Sequence, residues 1–299
     1  MAHIWTTRGF EAFSAGVCGQ AGHNLYVSRA GILQRIHQYD FAQKGYLDLV
    51  FCNSQGSLEI PPAGVYQDPL GQLEYSELPA DGARSGAVLD LNGDGCDDLV
   101  LGNRYNGIGH HMNAFIYYGG SEGWSEGRHQ RLPAPVCTSV AAGDFNGDGR
   151  PDLAFLCNGK VRLFYQSELG FEPKRFVDLE IAGDQLGAGD LDGDGCAELL
   201  VRSVEGEISL YWGSSKGIEP GNGTALPLAH EGDDESSDDA VDRASAEYIQ
   251  DARPLVQVIV LAGRPHVFAA RARSALLVPV HLDRRFGEPQ TFDCGQPMA

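Results

Sequence analysis

The chain has 299 residues, 42% of them hydrophobic, and a formal net charge of −19. That length suffices for one large all-β domain with a sizeable core. The charge argues against nucleic-acid or anionic-lipid binding, and the lack of any apolar run of about 18 residues argues against a membrane span. The start, MAHIWTTRGFEAF, carries no apolar signal segment. Seven cysteines without a CxxC give neither a zinc framework nor a dense disulfide scaffold, so mostly free or buried thiols are expected.

In chain order, residues 1–39 hold one strand-like segment, LYVSRAGI from Leu25, and read as a partial first blade. An acidic turn follows at Asp40, DFAQKGYLDLVFC. It returns in fuller form as DLNGDGCDDLVLG from Asp90, DFNGDGRPDLAFL from Asp144 and DLDGDGCAELLVR from Asp190, about every 50 residues. A second motif keeps the same beat: VYQDPLGQL from Val65, YYGGSEGW from Tyr117, FYQSELGF from Phe164 and YWGSSKGI from Tyr211. One unit therefore reads as acidic loop, apolar strand, turn, aromatic strand, Gly-rich turn and polar strand. Residues 229–250 are acidic without strand periodicity and read as an inserted solvated loop. LVQVIVLAG and PHVFAARAR resume the strand pattern without an acidic loop, so 251–299 reads as a degenerate last blade. Three to four short strands per unit predict an all-β fold: a single β-propeller over 1–299 with about five to six blades, or a fragment of a seven-bladed ring.

The loop composition suits a hard cation such as Ca²⁺, which takes six to eight oxygen ligands. Counting from the first Asp, positions 1, 3, 5 and 9 are Asp90, Asn92, Asp94 and Asp98; Asp144, Asn146, Asp148 and Asp152; and Asp190, Asp192, Asp194 and Glu198. Position 6 is Gly95, Gly149 or Gly195, where the backbone must turn sharply. Position 7 varies (Cys96, Arg150, Cys196), as it can if only its carbonyl oxygen binds. An EF-hand needs a bidentate Glu at position 12 between two helices, but Leu101, Phe155 and Val201 stand there and strand-like runs follow. The competing reading of any one copy is an Asx turn. Repetition favours about three Ca²⁺ sites, because carboxylates crowded into nine residues repel one another. In the copy at Asp40, positions 3 and 5 are Ala42 and Lys44; either the lysine ammonium stands where the ion sits elsewhere or the turn has drifted.

The pattern D-x-[ND]-x-D-G-x-x-[DE]-L, with the Tyr118–Trp124 turn, resembles the FG-GAP / VCBS repeat family, the blades of the integrin alpha-chain propeller. The resemblance covers residues 23–220 well and 250–299 weakly. It implies Ca²⁺ at the propeller rim, the twelve residues above as ligands, and a secreted or surface-exposed adhesion or interaction module. An extracytoplasmic home also suits weak calcium sites; the missing signal segment speaks for the alternative, a cytoplasmic one.

No catalytic constellation is expected. Two G-x-S-x-G matches, around Ser121 and Ser215, fall in the same Gly-rich turn of different units, with no helix to make a nucleophile elbow. His110 and His111 lie in an insertion and are adjacent, so on a strand they would point apart. The leading reading is a non-enzymatic calcium-binding interaction module with a protein or glycan ligand. Beside it stand a lectin, with Tyr118, Trp124, Tyr211 and Trp212 as candidate contacts or inter-blade packing, and a propeller-based polysaccharide lyase or hydrolase.

Overall fold

The apolar runs after two of the acidic loops are strands buried at every position, DLVLGN over Asp98–Asn103 and DLAFLC over Asp152–Cys157. Such burial on both faces requires a sheet sandwiched between neighbours. The computed structural model describes residues 3–6, 9–12, 25–27, 33–39, 48–53, 62–67, 74–105, 109, 111–120, 123–226, 256–261, 264–270 and 274–293. The predicted loop at 229–250, the turn at Asp40 with Ala42 and Lys44, His110 and Ser121 lie outside the described residues.

Strands β1 (His3–Thr6) and β2 (Gly9–Ala12) form a hairpin. The first large sheet takes β3 (Leu25–Val27), β4 (Leu33–Tyr39), β5 (Asp48–Asn53), β6 (Ala63–Gln67) and β7 (Glu74–Leu78). The second takes β8 (Ala83–Leu89), β9 (Asp98–Asn103), β10 (Asn113–Tyr117) and β11 (His129–Pro133). The third takes β12 (Cys137–Gly143), β13 (Asp152–Cys157), β14 (Lys160–Phe164) and β15 (Val177–Ala182). The fourth takes β16 (Gln185–Gly189), β17 (Glu198–Arg202), β18 (Ile208–Tyr211) and β19 (Gly223–Ala225). The fifth takes β20 (Val256–Leu261), β21 (Arg264–Ala270), β22 (Ser274–Pro279) and β23 (Gln290–Asp293), so the expected last blade is a four-stranded sheet without an acidic loop. All pairings are antiparallel meanders. The only helical segments among the described residues are short 3₁₀ turns at Glu126–Arg128 and Pro220–Asn222.

Successive sheets pack face to face. Leu91, Val100 and Ile116 of the second sheet meet Val140, Phe155 and Phe164 of the third. Leu156 and Leu163 of the third meet Leu186, Leu199 and Val201 of the fourth, and Leu200 and Leu210 of the fourth meet Val267 and Val278 of the fifth. Each such side chain contributes about 1.5–3 kcal/mol by leaving water. The first strands of consecutive sheets touch, β8 with β12, β12 with β16, and β16 with β20. Glycine lets β9 approach β12 as well: a Cβ on Gly102 would lie 2.6 Å from both Cys137 Sγ and Val140 Cγ2. Four-stranded meanders stacked in series with their first strands together are the blades of a β-propeller.

The sheets are cut one strand earlier than the sequence repeat. Each of the three full acidic loops joins the first and second strands of one sheet, so β8, β12 and β16 precede the loops that mark the units. Residues 1–39 likewise contribute β3 and β4 to the sheet completed by β5–β7.

Candidate metal-binding loops

The three full loops, 90–98, 144–152 and 190–198, are built alike. The second residue of each, Leu91, Phe145 or Leu191, is at most 2% exposed and anchors the loop in the core between sheets. Glycine at position 6 sits in the left-handed region, at φ +82° for Gly95 and Gly149 and +89° for Gly195, a conformation that a Cβ disfavours.

The first Asp organises the loop by accepting backbone amides. Asp90 Oδ1 accepts Gly93 N at 2.7 Å and Asp94 N at 3.2 Å, and its Oδ2 accepts Gly95 N at 2.9 Å. Asp144 repeats this with Gly147, Asp148 and Gly149, and Asp190 with Gly193 and Gly195. Position 3 accepts the amide of position 5 in every loop: Asn92 from Asp94 at 2.9 Å, Asn146 from Asp148 at 3.0 Å, and Asp192 from Asp194 at 3.1 Å. Position 5 accepts the amide of position 7. These are nested Asx turns, and they hold the side-chain oxygens in a fixed arrangement. In the third loop one carboxylate oxygen from each of Asp190, Asp192 and Asp194 lies within 4.8 Å of the other two.

Position 9 has a distinct job. Asp98 is fully buried; its Oδ2 accepts Leu91 N at 3.0 Å and its Oδ1 accepts Gly119 N at 2.7 Å. Asp152 does the same with Phe145 N at 3.0 Å and Gln166 N at 2.8 Å. The carboxylate thus brackets the loop entrance to the Gly-rich turn after the aromatic strand. Glu198 Oε2 accepts Leu191 N at 2.5 Å, while its Oε1 is buried without a hydrogen-bond partner. Burial pushes Asp152 up to about 7 and Glu198 up to about 8; the two backbone donors of Asp152, and Leu191 N for Glu198, pull the other way, and neighbouring carboxylates add to the rise. A positive charge beside these groups would be favourable.

The donor set is oxygen throughout, which suits a hard cation. The adjacent thiols do not compete: burial, then the neighbouring Asp94 carboxylate, raises Cys96, and burial followed by Asp194 raises Cys196 to about 11. Thiolate, the zinc-binding form, is therefore disfavoured. The orphaned Glu198 oxygen and the crowded carboxylates fit a divalent ion, with the loop oxygens as its ligands.

Sequence reasoning missed several parts of this region. Gln166 Nε2 donates to Leu91 O at 2.9 Å, and Ser214 N donates to Phe145 O at 3.3 Å, so each of these loops is tied to the next sheet. Arg284 in the fifth sheet reaches the third loop, its Nε 2.6 Å from Asp192 Oδ2 and its Nη2 3.1 Å from Asp194 Oδ2. The four aromatics read as sugar contacts or inter-blade packing all make packing or hydrogen-bond contacts within the blades. Tyr118 and Tyr211 pack on the inter-sheet cores, Trp124 donates to Asp97 O at 2.8 Å, and Trp212 is 8% exposed. The G-x-S-x-G around Ser215 is a tight turn in which Ser214 Oγ donates to Gly217 O at 3.0 Å, not a nucleophile elbow. Among the described cysteines, Cys96, Cys137, Cys157 and Cys196 are free thiols. No helix of the described residues is long and apolar enough to cross a membrane.

Comparison with known proteins agrees with this architecture. The FG-GAP-like repeat family matches residues 90–155 and 144–201. Mouse integrin alpha-7 is 30% identical over 151 residues, covering 42% of this chain and 12% of that protein. Human integrin alpha-7 is 31% identical over the same length and coverage. The aligned part thus spans about an eighth of those relatives. A solved lectin of Agrocybe aegerita, described as recognising non-reducing terminal N-acetylglucosamine, shares the fold at TM-score 0.50 and 12% identity, covering 87% of this chain and 66% of that one. Residues 90–201 thus carry FG-GAP-like repeats, and the stacked four-stranded sheets make the chain a β-propeller similar, over the matched residues, to the integrin alpha chain.

Proposed function

We propose that the chain is a non-enzymatic β-propeller, stabilised by about three calcium ions, that serves as an interaction module outside the cytoplasm. The observation that carries this reading is the repetition of one loop design at the same point of three consecutive sheets. Its oxygens at Asp90, Asn92 and Asp94, at Asp144, Asn146 and Asp148, and at Asp190, Asp192 and Asp194 would hold the ions. The buried acids Asp98, Asp152 and Glu198 complete the negative environment beneath them. A bound ion supplies charge neutralisation and a cross-link across the loop. Weak sites of this kind, with dissociation constants of about 10⁻⁴–10⁻³ M, fill in extracellular calcium and stay empty in cytosol.

The test is a thermal melt in millimolar calcium, in excess EDTA and in magnesium. A ligand that binds only the native state raises Tm by linkage. We expect a calcium-selective rise, abolished in Asp90→Ala/Asp144→Ala/Asp190→Ala. Equal melting in calcium and EDTA overturns the calcium reading.

A glycan ligand is the second reading. It is supported by a cleft of about 330 Å³ between the third and fourth sheets, lined by Asn146, Tyr165, Arg175, Phe176 and Lys216. A glycan array probed in calcium separates a sugar from a protein partner, and turnover assays on acidic polysaccharides test the lyase or hydrolase alternative.

A further inference from the structure

Charge count ranks the three loops in one order and geometry ranks them in another. The third loop has Asp192 where the others have Asn92 and Asn146, so among positions 1, 3, 5 and 9 it carries one more carboxylate. More ligand charge ordinarily means tighter calcium binding. Yet this loop already has a cation. The Arg284 guanidinium bridges Asp192 Oδ2 at 2.6 Å and Asp194 Oδ2 at 3.1 Å, and stacks 4.7 Å from the centre of the Trp212 ring. The corresponding oxygen of the first loop, Asp94 Oδ2, meets the neutral Asn92 amide at 3.0 Å. In the second loop Arg150 touches one carboxylate, Asp148, at 2.9 Å from within the loop itself.

Arg284 is held in place by its turn. It sits at φ +65°, a left-handed conformation uncommon for a residue with a Cβ, and its amide donates to His281 O at 2.8 Å. Nearby, Leu282 lies against Gly193 of the loop, 3.3 Å from where a Cβ would stand. Asp192, the extra carboxylate, is the one the guanidinium holds by Nε, and its side chain is only 4% exposed.

We propose that Arg284 is the resident counter-cation of the third loop, and that calcium enters this loop only in competition with it. The chain then binds two ions more tightly than the third, and filling the third loop loosens the 281–286 turn of the fifth sheet. This rests on the reading of the loops as calcium sites.

Calorimetric calcium titration of the full chain tests it, beside Asp90→Ala/Asp144→Ala, which leaves only the third loop, and the same double variant with Arg284→Gln. Wild type is expected to show two sites of similar affinity and a third, weaker one. Arg284→Gln is expected to tighten the remaining site about tenfold or more, since it removes a competing unit charge at contact distance. Arg284→Lys, which cannot bridge both carboxylates, is expected to fall between. A melt in EDTA checks folding: Arg284→Gln should melt lower there than its parent yet gain more from calcium, which loss of packing alone would not produce. Unchanged or weaker calcium binding on Arg284→Gln, with two sites intact in wild type, overturns this inference and leaves the calcium reading standing. No calcium binding by wild type overturns both.

Discussion

Ser85 Oγ accepts the amide of Val140 at 3.1 Å, joining the first strands of the second and third sheets. One sheet further on, Ser139 Oγ accepts the amide of Leu186 at 3.0 Å. Both serines are 4% exposed and stand five residues before the first Asp of a loop. Ser139→Ala leaves the Leu186 amide buried without its acceptor. Such a loss costs about 1–3 kcal/mol, so Tm should fall by several degrees. Ser85→Ala should do the same, and the double variant measured by denaturant melts reports whether the two links are independent.

Gly102 lies against the next sheet, where a Cβ would stand 2.6 Å from Cys137 Sγ and Val140 Cγ2. Gly102→Ala should destabilise the protein by about 1–3 kcal/mol through overpacking. Gly127→Ala is the control, since a Cβ there meets nothing within 4 Å. Urea unfolding of the two variants should separate them clearly.

Metal-free stability should fall as pH rises from about 4 to 8. Burial raises Asp152 to about 7 and Glu198 to about 8 from ordinary carboxylate values. Between the unfolded and folded values the native state holds more protons than the unfolded chain, so the slope of stability against pH is negative there and levels off above about 8. Melts in EDTA at pH 5 and pH 8 check the sign. Calcium should oppose the loss, because the ion favours the ionised carboxylates. Asp152→Asn should flatten the metal-free curve.

Thiol labelling should be slow in the folded state. Cys52, Cys137 and Cys157 are buried, and Cys137 and Cys157 face each other across β12 and β13. Burial pushes Cys137 well above its ordinary value, with Cys157 adding to the rise. Rapid reaction of these thiols with a disulfide reagent at neutral pH, without denaturant, would contradict this packing.

The loops were legible because their chemistry is contiguous: nine residues carry the charge, the glycine and the apolar anchor together. Strands β9, β13 and β17 were legible for the same reason, as apolar runs directly after them. What escaped the sequence is what crosses between sheets. Arg284 lies 92 residues from Asp192 and belongs to a repeat with no acidic loop at all. Ser85 and Ser139 hold the same place before each loop, but a serine in a strand carries no signal of what it bonds. The two hydrogen bonds that Asp98 accepts from the Leu91 and Gly119 amides were hidden because an acid at that spacing is equally expected of a metal ligand.

The offset between repeat and sheet decides where the molecule can be divided. A fragment started at Asp90, the visible beginning of a unit, would strip β8 from its sheet and expose the edge of β9. Started at Pro79 instead, ahead of β8, it would carry the second sheet whole, with Ser85 still available to the sheet that follows. Grafting or shuffling of these modules should therefore cut ahead of the serine strand, so that each donated piece arrives with its own loop closed and its own link to the next.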